Sequence, residues 1–227
     1  MKLYYHPVST TCRPILLFAA DENIALDLEL VDLFTGAHQQ LPFSAVNPSQ
    51  QVPVLEDDGF VLSEASAILK YLADKAGSAA YPQDLRQRAR INECMDWFNT
   101  GLYRELGYNL IYPQVLPHCK RKDPNAQAET LASGREKSQR WLGVLDQSIL
   151  GANAYVCGAQ ISIADYLGIG MITVGEVIRL DYSPWKNVTR WINSMKARPN
   201  WGRVNEGFYA HFVAPYKDAP FEGLVAP

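Results

Sequence analysis

Strand and helix signals place a small α/β domain at the start of this 227-residue chain and an all-α helical domain behind it. Three observations carry that reading. Strand and helix patterns alternate as far as Ala76. The next stretch, AGSAAYPQD (Ala76 to Asp84), is made of small residues with a Gly and a Pro, the composition of a linker. Beyond Asp84 the period of two characteristic of strands nearly disappears. The expected units are 1–77 and 85–227.

KLYYH reads as a short strand, and CRPILLFAADE as a helix that is apolar on most sides. ALDLELVDL alternates: Leu26, Leu28 and Leu30 fall on one face, Asp27 and Glu29 on the other, which is strand periodicity. FTGAHQQLPFSAVNPSQQ is a loop with room for a short helix. VPVLE and FVLS are strands joined by Asp57-Asp58-Gly59, a hairpin signal. Pro53 removes a ladder donor, so its strand is expected at a sheet edge. SEASAILKYLADK is a helix with Ser63 as its N-cap. A parallel βαβ crossover followed by an antiparallel hairpin implies a mixed four-stranded sheet covered by helices.

In the second unit LRQRARINECMDWFNTGLYRELGYNLIY is a long helix, capped by Asp84 and bent near Gly101 or Gly107. NAQAETLASGREKSQRWLGVLDQSIL is the next. SIADYLGIGMITVGEVIRL follows, opened by a capping box from Ser162 to Asp165. SPWKNVTRWINSMKAR is the last, with Ser183 at N-cap and Pro184 at N1. From Pro199 the chain is expected to be irregular.

The apolar fraction is 48%, the charged fraction 20% and the net charge −3, values of a soluble globular chain without a nucleic-acid footprint. Lys120-Arg121-Lys122 reads as a solvated loop. YLGIGMITVG is too short to span a bilayer and reads as a buried helix. Met1-Lys2 runs into LYYHP and not into an apolar h-region, so no export signal is expected. The four cysteines, Cys12, Cys94, Cys119 and Cys157, form neither a CxxC pair nor a zinc cluster. A cytoplasmic protein with free thiols, no metal, no nucleic-acid partner and no membrane segment is expected.

Chemistry first offers itself in VSTTCRP, Val8 to Pro14. With Thr11 as N-cap, Ser9 stands beside free backbone donors and the positive end of a helix dipole, a setting that holds an anion, a thiolate in particular. Ser9 also reads as a plain turn residue. Cys12, in the first helical turn, reads either as a reactive thiol or as a buried one sharing a stripe with Ile15, Leu16 and Ala19. Val52 could offer its backbone to an extended peptide, and the first turn Glu64-Ala65-Ser66 could receive a carboxylate.

Taken together, YYHPVSTTCR, NPSQQVPVLEDDGFVLSEASAIL, YPQDLRQRAR, YPQV, GAQISIADY and VTRWINSMKARPNW resemble the cytosolic glutathione transferases, theta and delta classes, over nearly the whole chain. The resemblance implies a thioredoxin-like first domain, glutathione as co-substrate, no metal, and a homodimer. It implies that Ser9 hydrogen-bonds the glutathione sulfur. It makes Pro53 a cis-proline, with Val52 pairing the cysteinyl backbone. It puts Glu64, Ala65 and Ser66 on the γ-glutamyl end, and His38 and Gln50 on the glycyl carboxylate. Gln50 stands where the delta pattern often has His. Ala65 stands where the family usually has Ser or Thr, so a hydroxyl is missing. An apolar electrophile is expected against Tyr103, Leu106, Tyr108 and Tyr112, with a tail carrying Phe208 and Phe212 closing over it. Two other activities compete with the transferase: thiol-disulfide exchange through Cys12, and a non-catalytic binding module of the same fold.

Overall fold

The computed structural model describes residues 1–224. Its sheet has four strands in the order β2-β1-β3-β4: β1 Lys2–Tyr5, β2 Asp27–Leu30, β3 Val54–Asp57 and β4 Phe60–Ser63. β1 pairs parallel with β2 across α1 (Cys12–Asp21), and antiparallel with β3. The register lines Leu28, Leu3, Leu55 and Leu62 in one row. Leu3 and Leu55 are fully buried at its centre, while Leu28 stays 46% exposed because β2 is a sheet edge. The loop after β2 holds the short α2, Phe43–Val46. The β3–β4 hairpin turns at Asp58 and Gly59, both at positive φ.

Two expectations for this domain change. β3 lies between β1 and β4, so Pro53 does not mark an edge; it stands just before the strand, where no ladder donor is needed. Ser63 ends β4 and does not cap α3 (Ala65–Ala76). Glu64 takes the N-cap position at φ +70° because the chain reverses there.

The helical domain begins with α4, Leu85–Trp97, capped by Asp84, whose carboxylate accepts the Gln87 N–H at 2.9 Å. The helix does not simply bend at its glycines. It widens into π-helical turns over Phe98–Leu102 and Arg104–Ile111 before α5, Tyr112–Val115. Gly101 sits where a Cβ would come within 2.7 Å of the Trp141 ring. Gly134 of α6 (Pro124–Val144) passes so close to the Asn109 carbonyl that a Cβ would lie 2.5 Å from it.

α7, Ile163–Ile172, is buried along its whole length. Asp165 accepts the Ser162 N–H and hydroxyl, the Val156 N–H and the Trp191 indole N–H, all within 3.0 Å. α8 is Lys186–Lys196, one turn shorter than expected. Ser183 is bound to Asp181 instead, through both its N–H and its hydroxyl, and that turn replaces the cap. The chain past Pro199 is helical, not irregular: α9 spans Trp201–Phe208 and runs on through Tyr209–Val213. Trp201, Asn205, Phe208 and Phe212 are its buried side, at helical spacing.

α1 joins the two domains. Asp21 accepts the Tyr166 hydroxyl at 3.0 Å and the Asn200 amide at 2.9 Å, and is ion-paired with Arg198. Arg13 passes from the first turn of α1 into the helical domain. These contacts hold α1, and with it the Ser9 loop, against α7 and α9.

Candidate functional site

Ser9 lies in the loop between β1 and α1, partly exposed. Its N–H donates to the His6 carbonyl at 3.0 Å, and its own carbonyl accepts the Cys12 and Arg13 N–H groups at 3.2 Å. Its hydroxyl oxygen also accepts the Cys12 N–H, at 3.2 Å. Thr11 is the N-cap residue of α1, as expected, but its side chain makes no cap; the Ser9 hydroxyl serves the first helical N–H in its place. The Thr11 hydroxyl instead lies 3.1 Å from Ser9 Oγ and donates to the Val52 carbonyl at 3.3 Å. One hydroxyl thus links the Ser9 loop to the segment before β3. From the sequence Thr11 is expected at a capping position only; its side-chain link between the two segments is tertiary.

The Val52–Pro53 peptide is cis and both residues are buried. Glu64, at φ +70° and ψ +116°, is exposed at the start of α3. Such a conformation costs of order 1–3 kcal/mol and concentrates at functional sites. Ala65 packs into the core at 6% exposure, with Ser66 beside it half-buried. Gln50 is exposed, also at positive φ. His38 belongs to a short 3-10 turn, and its Nδ1 is buried with no hydrogen-bond partner among the described residues.

The tyrosines of the π-helical segment gather at the same side. Tyr103 and Tyr112 share a 2.6 Å hydroxyl contact, and Tyr112 reaches the Thr10 hydroxyl at 2.9 Å. Burial pushes the Tyr112 phenol up to about 12, so it stays protonated. The Tyr108 ring meets both others at centroid distances of 5.3 and 5.2 Å. It is the exposed member of the set, at 51%, and its phenol is raised by burial, with the Cys119 and Glu64 charges adding to the rise. Leu106 and Phe208 are fully buried behind the surface, and Phe212 nearly so. Arg104 is exposed and paired with Glu105.

Cys12 is fully buried, and desolvation pushes its thiol up to about 11. A thiol held protonated and away from solvent is a poor nucleophile, which weighs against exchange chemistry through Cys12. No group of three or more His, Cys, Asp or Glu able to hold a metal occurs among the described residues. None of their helices is long and apolar enough to cross a membrane.

A small mixed sheet with a cis-proline beside the first helix, joined to a helical domain, defines a thioredoxin-like two-domain protein. Residues 1–74 match the description "Glutathione S-transferase, N-terminal domain", and residues 110–199 match "Glutathione S-transferase, C-terminal domain". Glutathione S-transferase theta-1 of Bos taurus is 37% identical over 171 residues, 74% of this chain and 70% of that protein. The Homo sapiens theta-1 protein is 35% identical over 175 residues, with the same coverage. A Nilaparvata lugens delta-class glutathione transferase superposes with a TM-score of 0.80 at 33% identity, over 95% of this chain and 98% of that one. The chain belongs to the glutathione S-transferase family, and is a transferase with glutathione as its co-substrate.

Proposed function

We propose that Ser9 hydrogen-bonds the sulfur of glutathione, stabilises it as a thiolate, and so prepares it to attack an electrophilic carbon of an apolar second substrate. The observation that carries this reading is the orientation of the Ser9 hydroxyl. A hydroxyl has one proton and two acceptor sites. The Cys12 N–H occupies an acceptor site, and the group is partly exposed beside cis Val52–Pro53. Its proton can turn to an incoming sulfur. Val52 pairs with the cysteinyl backbone, Glu64, Ala65 and Ser66 receive the γ-glutamyl end, and His38 and Gln50 face the glycyl carboxylate. The unpartnered Nδ1 of His38 supports its share of that set.

Lowering a thiol pKa of about 8.5 by about 2 units takes roughly 2.7 kcal/mol. One hydrogen bond to a charged sulfur contributes roughly 1.5–3 kcal/mol, and a helix N-terminus about 0.3–1 kcal/mol. Together they suffice, and Ser9 needs no general base because it donates and does not attack. The thiol proton leaves to solvent, the carbon–sulfur bond forms, and the leaving group departs with its electron pair. Tyr108 is the exposed wall for the electrophile, with Tyr103, Leu106, Tyr112 and Phe208 supporting it. The glutathione site falls in 1–77 and the electrophile wall in 85–227. The working unit is a cytoplasmic homodimer. Steady-state conjugation of a chloronitrobenzene by Ser9→Ala tests the assignment. A fall of roughly 10- to 100-fold in kcat/KM is expected from the loss of one charged hydrogen bond; a wild-type rate overturns it.

A further inference from the structure

Two cysteines that the glutathione site does not use meet on the other side of α4. Cys94 lies in the helix, buried. Cys157 lies in the turn Tyr155–Gly158, closed by reciprocal backbone hydrogen bonds of 2.9 and 3.1 Å. Cys94 Sγ is 3.8 Å from the Val156 carbonyl, and Cys157 Sγ is 4.0 Å from the Arg90 carbonyl. Val156 is bonded to Cys157, and Arg90 lies one helical turn below Cys94, so each sulfur rests on the other's backbone. The neighbouring thiols titrate against one another, which lowers Cys94 and, with burial, raises Cys157. Two thiols sharing one proton ionise as a unit.

Access is one-sided. Cys157 is half-buried and lines a cavity of about 520 Å³ together with Arg86, Arg90, Gln87 and Gln160. Cys94 stands behind it. At the rim Arg90 is ion-paired with Glu93, while Arg86 adds a second guanidinium; the excess positive charge favours an anionic visitor, and glutathione disulfide, which carries four carboxylates, is an anionic oxidant of thiols.

We propose that Cys94 and Cys157 form a redox pair, which glutathione disulfide converts into an intramolecular disulfide by way of a mixed disulfide on Cys157. Cys94, the more acidic of the two, takes the Cys157 proton, and the Cys157 sulfur attacks one sulfur of glutathione disulfide, forming the mixed disulfide and releasing one glutathione thiolate. Cys94, deprotonated in its turn, attacks the Cys157 sulfur, breaks the mixed disulfide and releases the second glutathione. Two protein thiols lose two electrons and two protons, and one glutathione disulfide becomes two glutathione molecules. The bond staples α4 to the turn whose Val156 N–H is held by Asp165, so it ties α4 to the start of α7. A crosslink across a long loop restricts the unfolded chain and stabilises the fold. The pair works without Ser9, and its test does not depend on conjugating activity.

The experiment treats the reduced full-length protein with glutathione disulfide, quenches in acid, alkylates, and maps the peptides by mass spectrometry. A Cys94–Cys157 crosslink, loss of half of the four alkylatable thiols, and an unfolding midpoint raised by several degrees and restored by dithiothreitol are expected. Cys94→Ser and Cys94→Ala should both stop at the mixed disulfide, with one glutathionyl group on Cys157. Cys157→Ser should leave Cys94 unmodified. Four free thiols after treatment of the wild type, or glutathione carried only by Cys119, overturns the proposal. So does a Cys94 variant that collects no mixed disulfide.

Discussion

The Thr11 hydroxyl stands 3.1 Å from the Ser9 hydroxyl, while its proton serves the Val52 carbonyl 3.3 Å away. A hydroxyl owns one proton, so in this arrangement Ser9 is the donor to Thr11. A thiolate arriving at Ser9 draws that proton outward, and Thr11 can then turn its own proton to the second lone pair of Ser9 Oγ, the one the Cys12 N–H leaves open. Hydroxyls in such a chain polarise one another. Thr11→Val removes the link between the two segments and leaves the Val52 carbonyl without that partner. A fall of roughly 3- to 10-fold in kcat/KM for glutathione is expected, from a neutral hydrogen bond of about 0.5–1.5 kcal/mol. Thr11→Ser should recover most of it. Steady-state kinetics with glutathione varied checks both, and an unchanged Thr11→Val rejects the link.

Ala65 invites the opposite experiment. It is the first residue of α3, buried to 6% beside exposed Glu64. Its backbone N–H remains available at the helix terminus, but there is no side-chain donor. Ser66 does not replace it, because one helical residue turns the side chain by about 100°. Ala65→Ser adds one hydroxyl in the place where a γ-glutamyl carboxylate is expected. Glutathione should bind more tightly by roughly one to two powers of ten, the value of a charged hydrogen bond of about 1.5–3 kcal/mol. Titration calorimetry reads this directly, and an unchanged affinity shows that the carboxylate lies elsewhere.

What was legible in the sequence was what short-range chemistry decides. The Asp58-Gly59 turn, the Asp84 cap and the Ser162–Asp165 box each involve partners within a few residues, and all three are in place. Ser9 and the segments around Val52 and Glu64 were legible through family resemblance and not through periodicity. The misread features depend on context. Ser63 resembles a cap, but β4 needs it as a strand residue. Ser183 and Pro184 resemble a helix start, but Asp181 captures Ser183 first. α9 follows Pro199 and contains Gly202 and Gly207, poor helix formers, so local propensity argues against it; burial of Trp201, Asn205, Phe208 and Phe212 on one side overrides that propensity. The meeting of Cys94 with Cys157 is tertiary, and no local pattern announces it.

Arg13 is buried to 1%, with no carboxylate partner among the described residues. Its guanidinium donates to Asn205 Oδ1 at 2.7 Å, the Gly170 carbonyl at 2.9 Å and Thr173 Oγ1 at 3.2 Å, and its carbon lies 3.7 Å from the centre of the Phe208 ring. Burial holds it down to about 10, so it remains charged at neutral pH. Three acceptors and one ring face stand in for a counter-ion. Arg13→Ala leaves those acceptors unpaired and a cavity behind them. Leaving one buried acceptor unsatisfied costs about 1–3 kcal/mol, so the variant should lose roughly 3 kcal/mol or more in urea unfolding. Arg13→Lys keeps the charge but not the planar fork and should lose more than half of that amount. A lysine variant as stable as wild type shows that charge alone suffices.

His6 makes the stability depend on acid. Its Nδ1 accepts the Val8 N–H at 3.3 Å, so the folded form needs that nitrogen unprotonated. Burial lowers its pKa below 6.5; Asp32 opposes the fall, and His211 adds to it. A lowered histidine pKa means that the unfolded chain binds the proton more readily than the folded one. The contribution is therefore fully present above the unfolded value, about 6.5, and is lost as pH falls through the lower folded value. The Ser9 N–H rests on the His6 carbonyl at 3.0 Å, so loosening His6 also loosens the loop that carries Ser9. Unfolding midpoints should be level between about pH 7 and 8 and decline below about pH 6.5. His6→Asn, which cannot titrate, should flatten the decline over the first unit below 6.5, before the carboxylates begin to protonate. Thermal unfolding of both proteins across that range decides it: parallel curves would assign the decline to other groups.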